Sequence, residues 1–356
     1  MTFNQYQYER VPLTPIDPEI SNIPDRLLKA ESKEEFLELL NQADAFKRKL
    51  ATMYNICYIR HTINTQDEFY SAENDYYDQN MPAAEQFSTR LSQAVMDSRF
   101  QELALKELGD TYFLNARLAQ KAFSPEIAED MAEENRLQSE YQKLIASARI
   151  QFDGQTVNLS RLTPFKESPD REVRQRAWEA ESKFMEENGE KLDEIFDKLV
   201  KTRTRMAKKL GFNSFTEVAY CRLKRASYGR KETDAFCEQV RREIVPLATH
   251  LIKLQHDRNN IEDAMIWDRS LSFKEGNPRP QGTPEEIFEK GRKMYSELSP
   301  VTAEFIEFML SNGLFDVLSR DGKAGGGYCT SIPDFQAPFV FANFNGTAGD
   351  VEVLTH

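Results

Sequence analysis

The chain is predicted to be mainly α-helical, and three observations carry that prediction. Helix-start signals recur along its length, long stretches place apolar residues at three- and four-residue steps, and strand-like alternation is confined to two short regions. No repeat of 20 to 50 residues is visible, which argues against a solenoid.

The elements follow in chain order. Ser32 with Glu35 and Thr65 with Glu68 have the spacing of a capping box, in which a hydroxyl and a carboxylate each satisfy an orphan amide. Between Phe36 and Tyr58 the apolar set Phe36, Leu39, Leu40, Ala43, Phe46, Leu50 and Met53 marks one buried helical face. Ser124-Pro125, Ser168-Pro169 and Thr283-Pro284 each set a capping hydroxyl before a proline at the first helical position. A long run from Pro169 to Leu210 ends before Gly211, a C-cap candidate, and Asn188-Gly189 is expected to divide it. Pro246 interrupts the run from Thr233 to about His256, so a kink or restart is expected there. Trp267 to Pro280 reads as irregular, and helices resume over Pro284 to Glu297 and about Pro300 to Ser311, with Gly313 as a stop.

Strands are expected at Arg149–Phe152 and Thr156–Leu159, joined as a hairpin by Asp153-Gly154. The hairpin and the prolines after it mark a boundary between two mostly helical portions, residues 1–165 and 166–356. A second strand, Pro338 to Asn345, is expected at a sheet edge because proline suits edges. An edge strand can accept a peptide as an added strand through main-chain hydrogen bonds.

Composition narrows the function classes. Lys and Arg number 46 against 58 Asp and Glu, a net charge of −12, and no basic stripe stands out, so nucleic acid is not an expected partner. No apolar run is long enough to span a bilayer and the first residues lack a signal-peptide pattern, so no membrane partner and a cytoplasmic location are expected. Cys57, Cys221, Cys237 and Cys329 form no CxxC pair and are expected as free thiols.

The last thirty-seven residues differ in composition from the rest. Gly325-Gly326-Gly327 lets a ligand backbone approach closely, the alternative being a flexible linker. No phosphate-loop spacing accompanies it. Pro338 to Phe344 alternates aromatic with small or polar residues, and Thr347 with Asp350 then signals a helix carrying Val351, Leu354 and His356. A histidine in the first turns of a helix beside an edge strand is the layout of a zinc peptidase, although only the first letter of HExxH is present. Glu352 stands four residues before His356, where it either orients the imidazole or is a solvated first-turn acid.

These segments resemble the zinc oligoendopeptidases of the oligoendopeptidase F and Pz-peptidase type, related to thimet oligopeptidase. The resemblance runs over the whole chain. It is carried by Lys323 to Thr330, Phe339 to Gly346 and Asp350 to His356, with support at Arg171 to Trp178 and Gly211 to Arg225. Ser227 stands where the family has an acid. The resemblance implies a two-lobed helical body around a deep channel admitting short peptides, one zinc per complete site, and His356 as the first zinc ligand. It implies that Gly325, Gly326, Gly327, Tyr328, Phe341, Ala342 and Asn343 line the channel and hold the substrate main chain.

The remaining residues of HExxH and the later glutamate ligand would fall beyond position 356. The chain is therefore expected to be an inactive part of a metalloendopeptidase, with no catalytic residue of its own. The alternative is a non-catalytic peptide-binding or regulatory protein. His61, His250 and His256 lack ligand spacing and are expected as ordinary helical residues.

Overall fold

The computed structural model describes residues 1–355 and is mainly helical. Two long antiparallel-type neighbours, α1 (Lys33–Ile63) and α2 (Glu68–Asp97), form the body of the N-terminal half. Ser32 Oγ accepts from Glu35 N–H at 3.1 Å, and the Glu35 carboxylate accepts from Glu31 N–H at 2.9 Å, one residue before the expected return bond. At the second start Asp67, not Thr65, is the cap, accepting from Tyr70 N–H at 2.9 Å. Thr65 instead donates through both N–H and Oγ1 to Gly322 O, at 2.8 and 2.7 Å, tying the turn to the C-terminal segment.

The core lies where these helices meet: Phe36, Leu39, Phe87, Leu91 and Val95 are buried in one cluster. Burial of such side chains contributes roughly 1.5–3 kcal/mol each. The helix α3 (Ala128–Ala146) packs against α2 and against α5 (Gly189–Lys209), which follows α4 (Arg171–Glu187) after a break at Asn188. The cap of α4 is Asp170, accepting from Glu172 N–H at 2.9 Å, so Ser168 lies outside the helix rather than at its cap. Gly211 has φ +79°, the left-handed conformation that ends α5.

The hairpin forms as expected: β1 (Ile150–Phe152) pairs antiparallel with β2 (Gln155–Val157) across Asp153 and Gly154, both at positive φ. Arg171 and Arg174 on α4 grip one carboxylate, Asp268, which is fully buried. This holds the irregular 259–283 excursion onto α4. Helices α6 (Arg230–Gln239) and α7 (Val245–Arg258) are joined by a π-turn over Val240–Ile244, which absorbs the N–H that Pro246 lacks. Neither helix buries a residue.

Helices α8 (Pro284–Leu298) and α9 (Pro300–Ser311) start at Thr283 and Ser299, each accepting from the amide three residues on. Three strands follow, β3 (Phe315–Leu318), β4 (Tyr328–Ile332) and β5 (Ala337–Phe344), in the order β3-β5-β4. Thus β5, expected at an edge, is the central strand, parallel to β3 and antiparallel to β4. Pro338 is tolerated because β3 reaches β5 only from Val340 onward, so Pro338 has one strand neighbour. The edge beside the glycine loop is β4. The last helix, α10 (Gly349–Thr355), lies against α8 and β5. No described helix is long and apolar enough to cross a membrane.

Candidate functional site

A cleft of about 610 Å³ opens where the C-terminal end of β5, the glycine loop, α3 and α10 converge. Gly325, Gly326, Gly327, Ala342 and Asn343 line it, opposite Tyr141, Gln142 and Ile145 of α3. Tyr328 and Phe341 are placed behind this surface. Their rings stack at 4.7 Å and 7°, Phe341 is buried, and the Tyr328 hydroxyl lies 2.6 Å from Thr62 Oγ1. Burial pushes the Tyr328 phenol well above its ordinary pKa, so it stays neutral.

The loop is held at its base and open at its crown. Ala324 N–H donates to Thr62 O at 2.8 Å, and Asn343 Nδ2 donates to Ala324 O and Gly326 O, both at 2.9 Å. All three glycines are exposed. Gly326 has φ +79°, and a Cβ on Gly327 would stand 3.1 Å from Phe341 O, so side chains are disfavoured at both positions.

Beside the loop, β4 is paired on one side only, and Cys329 and Ser331 are exposed along it. One outer carbonyl, Ser331 O, accepts from Asn55 Nδ2 at 2.7 Å. By contrast the end of β5 is saturated: Asn343 O accepts from Ser160 Oγ at 3.1 Å and Ala342 O from Lys323 Nζ. The edge position that β5 was expected to fill is thus taken by β4. The opposite wall carries an ion pair between Lys166 and Glu181, with the Lys166 ammonium 4.9 Å from the Trp178 ring. A second cavity of about 570 Å³ shares Tyr141 and Gln142 with the cleft and contains Tyr54, Tyr58 and Asp78.

The helix α10 is set by its own turn. Asp350 accepts from Asn345 N–H at 3.0 Å and Gly346 N–H at 2.7 Å, so the expected start signal works through the acid. Glu352 is exposed and has no side-chain partner among the described residues. His356 lies outside the described residues. No three His, Cys, Asp or Glu side chains among the described residues converge as a metal would require. His61 is buried with neither ring nitrogen bonded, and His250 is exposed. The described donor set does not fit a zinc centre by itself, and no chemical step through a metal follows from it.

Residues 3–123 match the Peptidase M3 N-terminal domain and residues 164–356 match Peptidase family M3. The chain belongs to peptidase family M3. A solved PZ peptidase A with an inhibitor shares 42% identity with this M3 chain at a TM-score of 0.98, covering 100% of this chain and 63% of that one. A Bacillus anthracis protein described as an oligoendopeptidase F shares 40% identity at 0.98, covering 100% and 65%. The M3 chain thus spans less than two thirds of the length of these relatives. Comparison with curated proteins gives no match.

Several residues that shape the site carried no legible signal. Ser160 and the α3 residues reach the cleft only through the tertiary fold, and nearby in sequence Asn158 Nδ2 donates to Arg320 O at 3.1 Å across 162 positions. The Arg171 to Trp178 segment that supports the resemblance serves the buried pair with Asp268. At the departure from the family pattern, Arg225 lies 4.4 Å from the Tyr220 ring and 5.8 Å from the Tyr228 ring, where Ser227 offers it no charge.

Proposed function

We propose that this chain is the peptide-holding part of a zinc-dependent endopeptidase that acts on short peptides in the cytoplasm. The observation that carries the proposal is the cleft lined by an open glycine loop, which leads directly into the edge strand β4, in an M3 chain. Main-chain pairing with β4 gives affinity that tolerates many side chains, as an enzyme clearing varied short peptides needs. The Gly325 to Gly327 loop, with Ala342 and Asn343, forms the floor on which the substrate main chain rests.

Zinc dependence belongs to the same reading, by family, with His356 as one ligand of the single metal. A catalytic zinc needs three protein ligands and a water, and the described residues supply no such group. In this reading the 356-residue chain binds peptide without cleaving it. The division into a helical unit over residues 1–165 and a peptidase unit over 166–356 is part of the proposal.

Two measurements on the 356-residue chain test it. Fluorescence anisotropy of a labelled pentapeptide should show saturable binding that is indifferent to chelator, and incubation with zinc should release no fragments. Absence of saturable binding would overturn the peptide-holding role, and chelator-sensitive cleavage would overturn the inactivity.

A further inference from the structure

Lys323 is a lysine where solvent has no access: its side chain is fully buried. Its ammonium reaches four acceptors on two strands. Nζ donates to Asp316 Oδ1 at 2.6 Å, lies 3.0 Å from both Asp316 O and Leu318 O of β3, and donates to Ala342 O of β5. It also stands 4.5 Å from the centroid of the Phe341 ring. An ammonium shares three donors on a compact head among these four acceptors, which suits the converging set better than a planar guanidinium or an amide.

The position of Lys323 matters as much as its bonds. It directly precedes Ala324 and the three glycines. Beyond that point the loop has only the Ala324 tether to Thr62 O and the Asn343 bonds to Ala324 O and Gly326 O. Asn343 itself follows Ala342, whose carbonyl Lys323 holds. One side chain thus sets both the start of the loop and the strand residue on which the loop rests.

We propose that Lys323 is a positioning residue of the peptide cleft, clamping Ala342 of β5 to Asp316 of β3 and so setting the height of the Gly325–Gly327 loop against Ala342 and Asn343. This rests on the peptide-holding reading of the cleft. Asp316 keeps its bonds to Arg320, at 2.9 and 2.7 Å, when Lys323 is replaced. The loss therefore falls on Ala342 O, Leu318 O and Asp316 O, three carbonyls beneath the loop, and not throughout the sheet.

The test compares wild type with Lys323→Gln by backbone hydrogen exchange and by anisotropy of a fluorescein-labelled Ala-Ala-Phe-Ala-Ala peptide, well below the unfolding midpoint of the variant. The expected result is exchange roughly tenfold faster at Ala324, the loop amide bonded to Thr62 O, exchange of the β5 ladder between Ala337 and Phe339 unchanged, and peptide affinity roughly tenfold weaker. Unchanged loop exchange in a folded variant overturns the proposal, and so does faster loop exchange with unaltered affinity. If wild type binds no peptide, the reading of the cleft fails; if it binds with loop exchange indifferent to Lys323, only the role of Lys323 fails.

Should the variant not fold, Lys323→Met, which fills the same buried space without a charge, is measured in the same way, and unchanged exchange at Ala324 with unaltered affinity overturns the proposal.

Discussion

Gly291 on α8 makes room for Leu354 on α10. A Cβ at Gly291 would stand 2.9 Å from Leu354 Cγ and closer still to Cδ2, while Tyr295 OH, one turn further along α8, donates to Leu354 O at 3.0 Å. The last helix, α10, is seated by a missing methyl group. Gly291→Ala should shift α10 and cost about 1–3 kcal/mol through overpacking, despite the better helix propensity of alanine. Thermal unfolding of this variant beside Gly291→Ala combined with Leu354→Ala checks it: the second change should recover part of the loss.

The pair formed by Arg174 and Asp268 should be the most sensitive polar site in the fold. Both are buried, with Nη2 to Oδ1 at 2.7 Å. Arg174→Met should destabilise by about 3–5 kcal/mol, because it leaves part of a buried carboxylate unpaired. Urea unfolding of wild type and variant gives the difference, and a loss below about 1 kcal/mol would contradict the argument.

The same carboxylate makes the fold acid-sensitive. Burial raises the Asp268 pKa, but the bonds from Arg171, Met265 N–H and Arg174 outweigh it and bring the group down to about 2. A folded-state pKa below the unfolded value means stability that is present above about pH 4 and lost as pH falls towards 2, of the order of 2 kcal/mol. In Asp268→Asn this pH-dependent contribution should be missing between those values.

His61 should act in an adjoining window. Burial, with a smaller effect from Lys143, lowers its imidazole to about 4, while Asp75 and Asp67 oppose this. The unfolded chain binds a proton that the folded chain refuses, so stability should fall as pH drops from about 6.5 to 4, by about 3 kcal/mol. Replacing His61 with Leu should flatten the unfolding temperature over that range, and an unchanged slope would count against it.

Helices α6 and α7 should drive self-association. Phe236, Leu247, Leu251 and Leu254 are exposed on helices that bury no residue, and large exposed apolar side chains favour association. The double change Phe236→Glu and Leu251→Lys should lower the apparent mass by light scattering at high concentration and leave the melting temperature within about 1 kcal/mol equivalent.

Much of the fold was legible because it is locally encoded. Ser32, Thr283, Asn188-Gly189, Gly211 and Asp153-Gly154 act over a few residues, where hydroxyl caps and positive φ leave a direct mark in the sequence. Thr65 and Ser168 show the limit of that reading, since an acid two residues later competed for each cap and won. Pro338 misled for a related reason: whether a strand is central depends on where its neighbours end, and β3 stops short of it.

The sequence by itself determined the helical character, the hairpin, the family and the glycine loop with its helix beyond. Only the tertiary structure decided that β4 is the open edge, that Phe341 and Tyr328 stand behind the cleft rather than in it, and that Lys323 joins two strands beneath the loop. These depend on contacts between residues far apart in the chain, such as Asn158 with Arg320 and Thr62 with Tyr328. Such contacts follow no period and carry no local cost, so no stretch of sequence records them.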